Sequence, residues 1–120
     1  MRPYVATKDG VLLGTAYFDV HRVRTKNEVL MFVLGPDGHL RRVEVCSFAE
    51  PLEYLPRPAF YAQFQGGALD EELDLRRGIH GVAGATLSAR ATTEAARRVL
   101  ALHEVIAERT RTAGPQTLQR

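Results

Sequence analysis

The sequence contains little cysteine and no long apolar run. Cys46 is the only cysteine among the 120 residues, so no disulfide can form within the chain. We expect its side chain to be buried as a small hydrophobe. No stretch approaches the roughly 20 apolar residues of a membrane-spanning helix, and residues 1–4 do not open a signal peptide. Two alternatives remain: a protein that is soluble where it is made, or one whose membrane anchor is left off.

The sequence also lacks a concentrated patch of basic charge. The formal net charge is +2 and the isoelectric point is near 9.0, but the arginines are scattered in pairs along the chain. Proteins that bind nucleic acid usually combine a denser basic stripe with aromatic side chains on which bases stack. The composition therefore argues against nucleic acid as a partner.

Common catalytic and metal-binding motifs are missing as well. The chain has no Gly-x-Ser-x-Gly elbow and no Gly-Lys-Ser/Thr phosphate loop, and Ser47 has no evident base. The four histidines are far apart in sequence, without the short spacing of a metal site. Hydrolase, nucleotidase and metal-site interpretations therefore have no support, and we predict no catalytic residues and no metal.

The first half of the chain has the patterns of β-strands. Residues 29–34 form a continuous apolar run, which is typical of a central strand covered on both faces. The turn signal Gly-Pro-Asp-Gly follows at residues 35–38, and residues 40–48 predict a returning strand with Val43 and Val45 facing inward. Upstream, residues 11–20 alternate as in a half-buried strand. The apolar face of that strand would carry Leu12, Ala16, Phe18 and Val20, opposite Thr15, Tyr17, Asp19 and His21.

Helical patterns dominate the second half. Three prolines mark a loop that ends with Pro58 at the first turn of a short helix, on which Phe60 and Phe64 share a face. From about Thr110 the periodicity is lost, so we predict a domain over residues 1–109 and a flexible tail over 110–120. The predicted fold is α+β: a three-stranded antiparallel meander packed against a long C-terminal helix, with one short helix besides. The apolar face of the long helix would consist of Leu87, Ala91, Ala95, Val99, Leu102 and Ile106.

Small residues are concentrated just before the long helix, over residues 78–88. Small side chains allow another group to approach the backbone closely. Thr86 and Ser88 are both plausible N-caps, and the first turn of a helix offers free N–H groups to a phosphate. The properties of helix termini are also consistent with a second interpretation, in which the glycines form a tight turn, a hydroxyl caps the helix and no ligand binds.

The segment Gly84-Ala85-Thr86, followed by Ser88 and an alanine-rich helix, resembles the FMN-binding domain family. This family includes the flavin subunits of sodium-pumping NADH:quinone oxidoreductases and of Rnf-type complexes, and the chain is most similar to its small stand-alone members. The resemblance covers residues 14–106. It implies that a separate flavin transferase joins FMN to Thr86 through a phosphodiester. The cofactor-binding residues that it implies are Ala83, Gly84, Ala85, Thr86, Leu87, Ser88, His80, Glu50 and Tyr54.

The chain departs from the usual attachment signal at two positions. His80 replaces an acidic residue six positions before the threonine, and Ala83 replaces a hydroxyl residue three before it. Covalent and non-covalent binding of FMN therefore both remain open. His80 is either a neighbour of the phosphate or a loop histidine in water. Tyr61 and Phe64, like Tyr54, are candidates for the flavin ring, with ordinary core aromatics as the alternative.

The resemblance implies a flavoprotein that relays electrons between redox partner proteins, with no substrate chemistry of its own. The partners would include a flavin transferase and a membrane electron-transfer complex on the extracytoplasmic side. Two other functions remain open. One is a small NAD(P)H reductase that depends on FMN, and the other is a degenerate regulatory module without flavin.

Overall fold

The strands form one antiparallel sheet whose order follows the chain, because each is joined to the next by a short turn. The computed structural model describes residues 1–74, 78–81 and 85–113. The predicted α+β fold, a meander with a long C-terminal helix and a short helix, is confirmed. The elements are β1 (Pro3–Lys8), β2 (Val11–Arg22), β3 (Asn27–Leu34), β4 (Leu40–Phe48), a 3₁₀ turn (Leu52–Tyr54), α1 (Pro58–Ala62) and α2 (Thr86–Ala113).

The sheet has four strands instead of the three predicted. β1 pairs with β2 through a two-residue turn at Asp9 and Gly10, whose φ angles are 53° and 78°. Positive φ at both central residues defines a type I′ turn, and Asp-Gly is the dipeptide that this turn favours. The signal for the additional hairpin is therefore present in the sequence.

The buried face of β2 is the polar one. Tyr17 and Asp19 are buried, whereas Phe18 is 40% and Val20 is 62% exposed. The alternation of a half-buried strand is confirmed, but the apolar residues lie on its solvent side. The burial of Asp19 is tolerated because its carboxylate pairs with His21 and Arg98.

β3 is central in the sheet, but only one of its faces is fully buried. Leu30, Phe32 and Leu34 are inaccessible to solvent, whereas alternate residues such as Met31 remain partly exposed. The prediction that both faces of β3 are covered is therefore wrong for the described residues. Cys46 is also exposed, contrary to expectation, because a register shift in β4 leaves it without a partner on β3.

α1 begins at Pro58 as predicted, but it ends at Ala62, so Phe64 lies just beyond the helix and not on it. Phe60 and Phe64 are buried with ring centroids 5.4 Å apart in an edge-to-face arrangement. Both belong to the cluster of buried residues that forms the core, so they are core aromatics. The core includes Tyr17, Leu30, Phe32, Leu34, Leu40, Val43, Phe60, Phe64, Leu73, Ile79, Ala89, Ala95, Ala96, Val99 and Leu100, with Val45 packed against it.

The buried stripe of α2 differs from the predicted one near its start. Ala95 and Val99 are buried as expected, but Leu87 is 49% exposed. Thr92 and Thr93 are buried instead. The hydroxyl of Thr92 donates to the carbonyl of Ser88, and that of Thr93 donates to the carbonyl of Ala89. These bonds satisfy the hydroxyl groups within the helix, so threonine is tolerated in the core.

The C-terminal end of α2 lies beyond the predicted start of the tail at Thr110. The helix continues to Ala113, and residues 114–120 lie outside the described part. Neither described helix is both long enough and apolar enough to span a bilayer.

Gly14→Ala is expected to destabilise the protein more than Gly10→Ala. A Cβ atom on Gly14 would lie 2.7 Å from the backbone oxygen of Leu34, so β2 and β3 must shift, at a cost of about 2 kcal/mol or more. At Gly10 no atom lies within 4 Å, and the positive φ alone costs about 1 kcal/mol. Urea unfolding of both variants measures the difference. Equal losses would contradict the register between β2 and β3.

Candidate functional site

A cleft of about 260 Å³ lies at the N-terminal end of α2. Its walls come from the turn between β2 and β3, from the 3₁₀ turn and from the first turn of α2. The structure thus brings together five of the residues that the sequence singled out, from segments far apart in the chain. The lining residues are Arg24, Tyr54, Ala85, Thr86, Leu87 and Ser88.

The first turn of α2 forms one wall of this cleft. The carbonyl of Ala85 accepts the bond from the N–H of Ala89 at 2.9 Å, which makes Ala85 the N-cap and Thr86 the first helical residue. Ser88 does not cap the helix as expected, because its hydroxyl donates to the carbonyl of Tyr54 at 2.7 Å. That bond fixes the 3₁₀ turn against α2. Thr86 is exposed and accessible from solvent.

Arg24 is the lining residue that the sequence analysis did not select for the site. Its guanidinium carbon lies 4.3 Å from the centroid of the Tyr54 ring, within the range of a cation–π contact. The contact places a permanent positive charge in the same cleft as the start of α2. In the sequence Arg24 is part of an ordinary polar stretch, so only its place in the fold distinguishes it.

Glu50, predicted to line the flavin, instead holds the turn that carries Arg24. Its Oε2 atom accepts hydrogen bonds from the backbone N–H groups of Arg24, Thr25 and Lys26, at 2.9, 2.8 and 3.2 Å. The side chain is buried and does not line the cleft. Hydrogen bonds from these amides, first that of Thr25, lower the pKa of Glu50 and keep it ionised.

The remaining predicted residues do not reach the cleft in the described part of the structure. His80 is exposed, and its backbone exchanges two hydrogen bonds with the side chain of Gln63, at 2.7 and 2.8 Å. These bonds fix the backbone of His80 beside α1. Ala83 and Gly84 lie outside the described residues.

Thr86 also lines a second, larger cleft of about 500 Å³. This volume is within the range of pockets that hold small molecules and cofactors. The Thr86 side chain therefore borders two clefts, one beside Arg24 and one along α2. The second cleft is lined by Asp74, Gly81, Thr86, Ala89, Arg90, Thr93, Glu94 and Arg97.

A chain of four charged side chains lies at the base of the turn between β2 and β3. His21 donates from Nδ1 to Asp19 and from Nε2 to Glu28, both at 2.6 Å. Arg98 of α2 donates to the same oxygen of Asp19 at 2.8 Å. Glu28 is fully buried. Because both nitrogens of the His21 ring face carboxylates, the imidazole is held in its protonated form.

The same contacts govern the pKa of His21. Burial alone would lower it, but the hydrogen bonds to Asp19 and Glu28 and their negative charges outweigh burial and raise the pKa to about 9. The hydrogen bond from His21 likewise lowers the pKa of Asp19 against the effect of burial, with help from Arg98. The cluster thus contains three ion pairs: two share His21 and lie within the sheet, and the third, between Asp19 and Arg98, connects the sheet to α2.

The other histidines form different contacts. His103 of α2 is hydrogen bonded through Nδ1 to the hydroxyl of Tyr17 at 2.8 Å, and burial lowers its pKa.

Within residues 1–74, 78–81 and 85–113, no group of three or more His, Cys, Asp or Glu side chains is arranged to hold a metal ion.

Comparison with known proteins returns no match of any kind: no family model, no curated protein and no solved structure matches the chain.

The free energy of unfolding is expected to fall as the pH rises from about 6.5 to about 9. Folded His21 holds its proton up to a pKa of about 9, whereas the unfolded chain releases it near 6.5. The contribution of protonated His21 to the free energy of unfolding is therefore complete below pH 6.5 and is lost as the pH rises through 9. We expect this loss to be about 1–3 kcal/mol. Urea unfolding across this range, compared with His21→Gln, measures it.

His39→Gln is the matched control, since His39 is exposed. In His39→Gln the free energy of unfolding should fall with rising pH as much as in the wild type. In His21→Gln it should change little over the same range. A decline of equal size in His21→Gln would show that another group titrates.

Proposed function

We propose that the chain is an FMN-binding electron-transfer protein whose flavin phosphate lies at the N-terminus of α2, beside Thr86. The observation that supports this most directly is the convergence of Tyr54, Ala85, Thr86, Leu87 and Ser88 on one cleft together with Arg24. The proposal also draws on the resemblance of the segment around Thr86 to the attachment motif of the FMN-binding domain family.

The charges of the cleft suit a phosphate. A phosphomonoester carries between one and two negative charges at neutral pH. The N-terminus of a helix contributes the equivalent of about half a positive charge, and its first N–H groups point outward. Arg24 adds a full positive charge and several donors. The interaction is strongest where these two sources of charge meet, at the cleft beside Thr86.

The flavin ring also finds suitable surroundings near Thr86. An isoalloxazine needs a flat apolar slot with a few polar groups at its edge. Tyr54 offers an aromatic face and Leu87 an exposed apolar side chain on the smaller cleft, and the second cleft adds about 500 Å³ of space. Bound FMN would accept and donate one or two electrons. The protein orients the flavin and sets its charge environment, while partner proteins supply and remove the electrons.

Thr86 is the acceptor when a flavin transferase is available. Its exposed position at the first turn of α2 makes it accessible to another protein. The new bond joins the Thr86 oxygen to the FMN phosphorus of a flavin dinucleotide donor, whose pyrophosphate bond breaks; the nucleoside monophosphate leaves and takes up the hydroxyl proton. The net gain in mass is one FMN minus one water.

Intact mass spectrometry tests this proposal. The chain is co-produced with a flavin transferase, alongside Thr86→Ala and the control Thr110→Ala, which makes the same change near the other end of α2. We expect the FMN adduct on the wild type and on Thr110→Ala but not on Thr86→Ala. Flavin that is released on denaturation would restrict the proposal to reversible binding. A colourless protein that ignores added FMN would contradict it.

Steady-state oxidation of NADH and NADPH separates a carrier from a reductase. The flavin-loaded chain without partner proteins should oxidise neither nucleotide above the rate of free FMN. Turnover by the isolated protein would contradict the carrier role and leave flavin binding intact.

A further inference from the structure

Three backbone amides of the turn between β2 and β3 depend on one carboxylate oxygen. Glu50 Oε2 accepts from consecutive N–H groups at 2.9, 2.8 and 3.2 Å, and the first belongs to Arg24 itself. Glu50 lies just after β4, so it ties the loop that follows this strand to the turn. Hydrogen bonds to an ionised acceptor are stronger than neutral ones. The backbone of Arg24 is therefore fixed by a residue outside its own hairpin.

The side chain of Arg24 is fixed separately, by its stacking on Tyr54 at 4.3 Å. Tyr54 is itself held, because its carbonyl accepts a hydrogen bond from Ser88 of α2. The guanidinium thus has its backbone end anchored by Glu50 and its charged end placed over a ring tied to α2. A long side chain otherwise loses considerable conformational entropy when it binds a ligand.

From these contacts we infer that Glu50 is a positioning residue: by holding the turn, it keeps Arg24 directed at the cleft and sets a preference for flavins that carry a phosphate. The inference rests on the proposed function. It keeps the same ligand, a flavin phosphomonoester, and adds the residue through which the protein prefers that ligand to an unphosphorylated flavin. Riboflavin has the same ring but no phosphate for Arg24 to contact. The ratio of the two affinities therefore measures the contribution of the phosphate separately from that of the ring, and its loss in Arg24→Ala measures the share that depends on Arg24.

The experiment measures dissociation constants of FMN and riboflavin by quenching of flavin fluorescence. The full chain is produced without a flavin transferase, so that binding is reversible. We expect the wild type to bind FMN at least about tenfold more tightly than riboflavin, as one charge-assisted contact implies. Arg24→Ala should lose most of this ratio. Glu50→Ala should lose a similar share of this ratio. Its dissociation constant for riboflavin should stay within about twofold of the wild-type value.

Two further variants separate positioning from charge. Glu50→Gln keeps an oxygen that can accept from the three amides, so it should restore most of the ratio. Glu53→Ala removes an exposed acidic side chain from the neighbouring 3₁₀ turn and should leave the ratio unchanged. Arg24→Ala combined with Glu50→Ala should lose no more than Arg24→Ala alone, because Glu50 acts through Arg24.

Amide hydrogen exchange gives a readout that needs no flavin. The amides of residues 24–26 should exchange faster in Glu50→Ala than in the wild type, with the rest of the sheet still protected.

Equal losses of FMN and riboflavin affinity in Glu50→Ala would mean a purely structural role and overturn the inference, as would an unchanged ratio. A wild type that binds both flavins equally contradicts this inference and the proposed place of the phosphate, and leaves flavin binding itself intact. A wild type that binds neither contradicts the proposed function, and the inference with it.

Discussion

The carboxylate of Glu50 is the contact on which the geometry of the candidate site depends. It connects the segment after β4 to the turn between β2 and β3, and it accepts all three of its hydrogen bonds from that turn. The turn and the start of α2, which are more than fifty residues apart in sequence, thereby lie beside each other. Because Glu50 holds the turn and Ser88 holds the 3₁₀ turn, Arg24, Tyr54 and Thr86 come to line one cleft.

The same turn is supported at its base by buried charge. His21 and Glu28 face each other across β2 and β3, and Asp19 extends the contact to Arg98 of α2. Burying ionised groups is costly unless each is paired. The pairing here is complete only while His21 carries a proton, so the cluster connects the position of α2 on the sheet to the charge on one imidazole. Sheet and helix are thus joined by the ion pair between Asp19 and Arg98, near the middle of α2, and by the apolar packing of the core.

Local patterns were enough to predict much of the fold. The bounds of β4, the start of α1 at Pro58 and the amphipathic C-terminal helix follow from periodicity and proline chemistry that act within a few residues. The burial of Asp19 and the exposure of Phe18 do not, because buried Asp19 is stabilised by two partners, protonated His21 and Arg98, and Arg98 lies far along the chain. Thr86 was recognisable from its motif, whereas Arg24 acquires significance only when the turn is placed beside α2. Glu50 was identified as a site residue by position alone, and its contacts assign it to the turn and not to the lining of the cleft.

Mapping of amide chemical shifts during a titration with FMN tests the central claim, binding at the N-terminus of α2, most directly. The account predicts the largest changes at residues 24–26, at Tyr54 and at residues 85–88. Changes concentrated instead at the separate cleft lined by Asp37, His39 and Ala107, or no changes at millimolar FMN, would contradict it.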